Sequence, residues 1–200
     1  MKLYDVCSLF TELQRPIGYD LLNTDKLNTF DKRFQIILRQ HLTVFALWSI
    51  LNCVGGLVGL FILKGSAYYF LMMSGIWGIV NFAFAIGFFY HTLYKKLRKN
   101  SWYERLVVQS HVKQMLFLNS GIDVAYVLVG VWLREHSFIC NVSYPDLWLG
   151  FGWAIVVQGL FLFIQDIVFL YLHHRNFRKA QPFLETLFIA KGLNSNEIIS

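Results

Sequence analysis

Hydrophobic residues gather in four long blocks, at residues 43–63, 67–90, 114–133 and 147–172, and no block holds more than one charged side chain. A helix rises about 1.5 Å per residue, so some 20 apolar residues cross the roughly 30 Å hydrocarbon slab of a bilayer. Every block reaches that length, whereas the core helices of a water-soluble domain are broken by charge far sooner. The pattern predicts an all-α fold, a four-helix transmembrane bundle at 43–172. Around it the polar stretches keep a helical rhythm. Residues 1–42 carry Leu3, Cys7, Phe10 and Leu13 at helical spacing, then a break at Pro16 and Gly18, then a second helix capped by Asn23 or Thr24 that runs through His41 toward the first span. Residues 91–113 interleave Leu93, Tyr94, Leu97, Trp102, Leu106 and Val107 with basic residues, as a segment lying on a membrane surface does. The tail, 173–200, has room for a short interfacial helix starting at Pro182.

Charge gives the expected orientation. Of eighteen Lys and Arg residues, sixteen lie in 1–42, 91–113 and 173–200, and only Lys64 and Arg134 lie in the two remaining links. The positive-inside rule puts the rich side in the cytoplasm, hence both termini, with amphipathic cytoplasmic flanking helices, in a multi-pass protein of a cell membrane. The composition agrees, with 56% hydrophobic and 15% charged residues against about 25% charged in a soluble domain. The net charge of +6 then faces anionic lipid headgroups, at about 1 kcal/mol per basic residue near the surface, and calls for no nucleic-acid partner. Met1 to Thr11 holds no apolar stretch, so the first span reads as retained rather than cleaved. Cys7, Cys53 and Cys140 fall in three different compartments of this topology, which leaves no disulfide framework.

The informative positions are polar residues within the blocks. Asn52 lies in the first, Ser74 and Asn81 in the second, Asn119, Asp123 and Tyr126 in the third, and Gln158, Gln165 and Asp166 in the fourth. Asn119, Asp123, Tyr126 and Gly130 share one helical face, as do Ser74, Gly78, Asn81 and Ala85, and as do Trp48, Asn52, Gly55 and Gly59. Such stripes must face other helices, because lipid offers no hydrogen-bond partner, and Gly55-x-x-x-Gly59 allows close backbone approach. No Lys or Arg lies inside a block to pair with Asp123 or Asp166, so these acids are either protonated or hydrogen-bonded to neighbouring amides with a bound cation. An Asp costs about 2.5–3.5 kcal/mol at a helix centre, against roughly 0.3–0.6 returned by each Leu, Ile, Phe or Val, so the third span is predicted to be marginal alone. A short echo links the first two spans: Trp48 and Asn52, then Trp77 and Asn81, each four residues apart. It fits either an inverted repeat or chance similarity between apolar helices.

His41, His91, His111, His173 and His174 fall near the cytoplasmic ends of spans and read as amphipathic interfacial side chains, so neither metal nor cofactor is expected. No phosphate-binding loop, HExxH, G-x-S-x-G or dinucleotide fingerprint is present to support a named reaction. The runs Asn119-Ser-Gly-Ile-Asp123-Val-Ala-Tyr126 and Gly150-Phe-Gly152, through Gln158-Gly159-Leu-Phe-Leu to Asp166, with Trp77 and Val80-Asn81, resemble an uncharacterised family of small four-span bacterial membrane proteins of the Bacteroidota type. The resemblance covers 44–172 and implies four spans and an inner-membrane location, but no activity. Further Asn residues occur in the family's second span where this chain has Ser74 and Gly78.

Three functions fit these residues. The first is binding or moving a proton, ion or small solute through the polar cluster Asn52, Asn81, Asn119, Asp123, Tyr126, Gln158 and Asp166, with a homodimer as the permeation unit. The second is a structural or partner-binding protein whose cluster only fixes helix packing. The third is a membrane-embedded enzyme acting on a lipid or quinone.

Overall fold

A computed structural model describes residues 24–90, 102–139 and 141–190, with side chains over 28–90, 108–139 and 141–182. The expected helix around Leu3–Leu13, the frayed C-terminus, residues 91–101 of the 91–113 surface segment, Cys7 and Cys140 lie outside the described residues. Four helices carry the fold: α1 (Thr24–Ile62), α2 (Gly65–Phe88), α3 (Trp102–His136) and α4 (Pro145–Ala190). Each is long and apolar enough to cross a membrane.

The helices outrun the apolar blocks. α1 passes from Thr24 through His41 into the first block without a break, and α4 continues past Leu172 with Pro182 inside it rather than at the head of a new helix. The extra turns are held by packing. Phe30, Phe34, Leu38 and Leu42, spaced every fourth residue, are buried. The last three meet Val108, Val112 and Leu116 of α3 and Phe169 of α4 in one core. This stripe gives the N-terminal stretch an apolar face that is covered by α3 and α4. We call this the terminal end of the bundle and the opposite one the loop end.

At the loop end α1 turns into α2 within two residues. Gly65 supplies the left-handed backbone that the turn needs, with φ +63°. Trp132 stacks on His136, which meets the edge of Trp148, and the Arg134 guanidinium lies 4.7 Å over the ring of Trp153. Aromatic and cationic groups of this kind populate the water–lipid boundary.

Between the two ends the usual soluble pattern is inverted. Phe61, Phe117, Phe84 and Ile79 project outward and are exposed, while Ser49, Asn52, Ser74, Asn81, Ser120, Asp123 and Gln158 are buried. Small residues let the backbones close. A Cβ on Gly56 would stand 2.6 Å from Gly75 Cα, and one on Gly78 would stand 2.8 Å from Ser49 O, so α1 and α2 meet backbone to backbone. Gly130 and Gly152 do the same for α3 and α4. The expected contact glycine Gly55 is only in ordinary van der Waals range of Leu71, and its neighbour Gly56 occupies the crossing. Gly59, the other glycine of the expected pair, is tight against α2: a Cβ there would stand 2.6 Å from Leu71 Cβ.

α4 packs on all three other helices and α1 pairs with α2, but α2 and α3 scarcely touch. The bundle is therefore open along one seam.

Candidate functional site

The polar residues divide into two groups with opposite character. The first joins α1 to α4. Trp48 Nε1 can only donate, and it donates to Gln158 Oε1 at 2.7 Å. That fixes the Gln158 amide, whose Nε2 donates to Asn52 Oδ1 at 2.5 Å. Asn52 in turn directs its Nδ2 to Trp48 O, one turn back on its own helix, at 2.8 Å. The Trp48 ring is stacked 3.8 Å from Phe161, which holds the indole in place. Asn52 and Gln158 are buried, and these bonds engage both of their amide groups. Nearby, Gln165 Nε2 donates to His41 O at 3.3 Å, a second tie between the same helices.

The second group lines the open seam. A cavity of about 340 Å³ lies between α2 and α3, with α1 and α4 behind it. Its α2 wall is Trp77, Val80, Asn81, Phe84 and Phe88, its α3 wall runs from Val112 to Tyr126, and His41, Phe45, Leu162 and Asp166 line it from α1 and α4. At roughly 30 Å³ per molecule it has room for about ten waters, near the lower end of small-molecule sites. The Trp77 ring meets Tyr126 edge-on at 5.1 Å and links α2 to α3 on the side nearer the loop end. Val80, Phe84, Met115, Asn119 and Ile122 are exposed along the seam, so the cavity opens sideways, toward the surface that carries the exposed apolar belt.

Of the seven residues singled out in the sequence, Asn81, Asn119, Asp123, Tyr126 and Asp166 line this cavity, while Asn52 and Gln158 are tied to each other away from it. Asn119 sits at the mouth, exposed, rather than buried on the same stripe as Asp123. Its neighbour Ser120 is the buried one, donating to Leu116 O at 2.9 Å. Asp123 is 4% exposed and Asn81 6%, and yet Asp123 Oδ2, Asn81 Nδ2 and Trp77 Nε1 are buried with no hydrogen-bond partner. Unpaired polar atoms in such places are uncommon, because each costs its full desolvation. Asp166 is different: its Oδ1 lies 3.4 Å from His41 Nε2, an ion pair whenever that imidazole is protonated. Phe169 stacks on the same imidazole at 4.6 Å. The cavity thus holds one acid with a basic neighbour and one without.

His173 departs from the interfacial position expected of it. It is fully buried, 5.3 Å from the ring of Phe34, and neither ring nitrogen has a partner. Because α1, α3 and α4 run past the apolar blocks as a packed trio, position 173 lies inside protein. Periodicity alone could have shown this, since Phe30 to Leu42 mark an inward face that needs a covering partner. His41, the cavity's one imidazole, was noticed for its place near a span end, but nothing in the sequence paired it with Asp166. Among the described residues, no three His, Cys, Asp or Glu side chains come together in a metal-binding group.

Residues 44–167 match the model of a family of unknown function, DUF6992, and the chain belongs to that family. No curated protein and no solved structure matches it.

Proposed function

We propose that this member of DUF6992 is a multi-pass bacterial membrane protein that binds a small solute in the cavity between α2 and α3, with Asp123 and Asp166 holding or exchanging a proton or ion there. The single observation that carries the reading is that Asp123, whose Oδ2 is buried without a partner, lines a cavity large enough for a ligand. An acid within a membrane span is a functional group by default, since its burial is costly unless something uses it. The charge distribution supports a topology with the terminal end in the cytoplasm of a cell-membrane protein. There Arg175, Arg178 and Lys179 form an exposed basic patch on α4, placed to meet anionic headgroups. Four helices enclose too little volume for a continuous path, so any translocation would fall to a pair of chains.

A structural reading is favoured for one part of the cluster only. Trp48, Asn52 and Gln158 bond to one another and hold α1 on α4.

The test is Asp123→Asn and Asp166→Asn in purified protein, reconstituted and monitored for folding and for proton or ion release. Unchanged folding with a lost response supports the proposal. Collapse of the folded protein in both variants assigns the acids to packing and removes it.

A further inference from the structure

The two Trp-x-x-x-Asn pairs meet different fates, and the difference describes a ligand. On α1 the pair is satisfied by the chain itself: the Gln158 amide accepts from Trp48 Nε1 and donates to Asn52 Oδ1. On α2 the corresponding indole N–H, Trp77 Nε1, is buried without a partner, as are Asn81 Nδ2 and Asp123 Oδ2, and all three residues line one cavity. Two donors and one carboxyl oxygen without partners therefore belong to residues in the wall of one space.

We infer that this space takes a membrane-dissolved molecule with an apolar body and a neutral head group that both accepts and donates a hydrogen bond, a hydroxyl or a primary carboxamide, entering sideways between α2 and α3. This rests on the cavity being a binding site and names the chemistry that it selects. The head group does for Trp77 what the Gln158 carbonyl does for Trp48. It accepts from the indole and the Asn81 amide and donates to Asp123. A head of this kind can donate to Asp123 in either protonation state, because a protonated carboxyl keeps a carbonyl oxygen that accepts. An ammonium cannot accept from Trp77 or Asn81, and a carboxylate cannot donate to Asp123. The apolar body suits the rest of the wall, Phe45, Val80, Phe84, Phe88 and Leu162. Sideways entry follows from the exposed seam residues and from the lack of packing between α2 and α3.

The test uses five probes with one tail: 4-phenylbutanol, 4-phenylbutanamide, 4-phenylbutylamine, 4-phenylbutyrate and butylbenzene. Binding to the full chain in lipid nanodiscs is measured by calorimetry, with empty nanodiscs subtracted. The alcohol and the amide are expected to bind roughly 5- to 100-fold more tightly than butylbenzene, the range set by satisfying one or two orphaned buried groups. Trp77→Phe, which keeps the ring against Tyr126 and removes the N–H, should erase most of that advantage and leave butylbenzene unchanged. Asn81→Leu should act the same way without lowering thermal stability, since it removes an unpaired amide. Tightest binding by the amine or the carboxylate, or equal binding of all five, overturns the inference while leaving a site. Saturable binding of none of them removes the site itself.

Discussion

Replacing Gln158 with Leu should separate the bonded part of the polar cluster from the open part. Leu fills most of the volume of Gln, so the change is mainly one of hydrogen bonding. It strands Trp48 Nε1 and Asn52 Oδ1, which now bond at 2.7 and 2.5 Å. The stacked Phe161 and the buried position of Asn52 keep other partners away. Interhelical hydrogen bonds within membranes average about 0.6 kcal/mol and reach about 1.7, so losing two costs roughly 1–3 kcal/mol. Asn52→Leu breaks only one of them, and the double variant should be milder than the sum of the single changes by about 0.5–1.5 kcal/mol, because both amides leave together. Reversible unfolding in mixed micelles, over the four chains of the cycle, measures that coupling. A Gln158→Leu loss below about 0.3 kcal/mol, or strict additivity, would refute the idea that this bond system holds α1 to α4.

Other consequences follow from the same packing. Gly56→Ala drives a Cβ onto Gly75 Cα and Leu71 O and should cost about 1–3 kcal/mol, whereas Gly121→Ala meets nothing within 4 Å and should be neutral or stabilising by up to about 1 kcal/mol, both read by the same unfolding assay. His173→Leu removes a buried ring with two unpartnered nitrogens from beside Phe34 and should raise stability by about 1 kcal/mol; a loss of similar size would show that the imidazole has an essential partner. The isolated segment 114–133 should insert inefficiently in a glycosylation-reporter assay, and Asp123→Leu should restore insertion, because roughly ten strongly apolar residues barely offset one Asp and one Asn.

Much of this molecule is legible without coordinates, because a bilayer imposes its dimensions on the sequence. Four apolar blocks with at most one charged side chain each predict the four helices. The α2 stripe Ser74, Gly78, Asn81 and Ala85 is buried as its spacing requires. What periodicity leaves open is which helix a stripe meets. Asn52 and Asn81 sit in nearly the same local sequence, and only the placement of Gln158 on α4 satisfies one and not the other. Asn119 shares a face with Asp123 in projection but falls on the side where α3 has no neighbour, so it is exposed. Of the pair Gly55 and Gly59, only Gly59 is pressed against α2, and Gly56 rather than Gly55 makes the other close contact. The stripe from Phe30 to Leu42 was readable in principle, but polar residues around it gave it the look of a surface segment.

The proposed site requires that small polar molecules reach the space between α2 and α3, while the contacts of α4 stay sealed. In a chain whose own cysteines are replaced, single cysteines at positions 81 and 119 should react with a small neutral methanethiosulfonate at least about tenfold faster than cysteines at 49 and 154, which lie against helix neighbours, because a thiol ionises only where water reaches it. Equal inertness at all four positions would mean that the seam is closed and that Asp123 is merely packed.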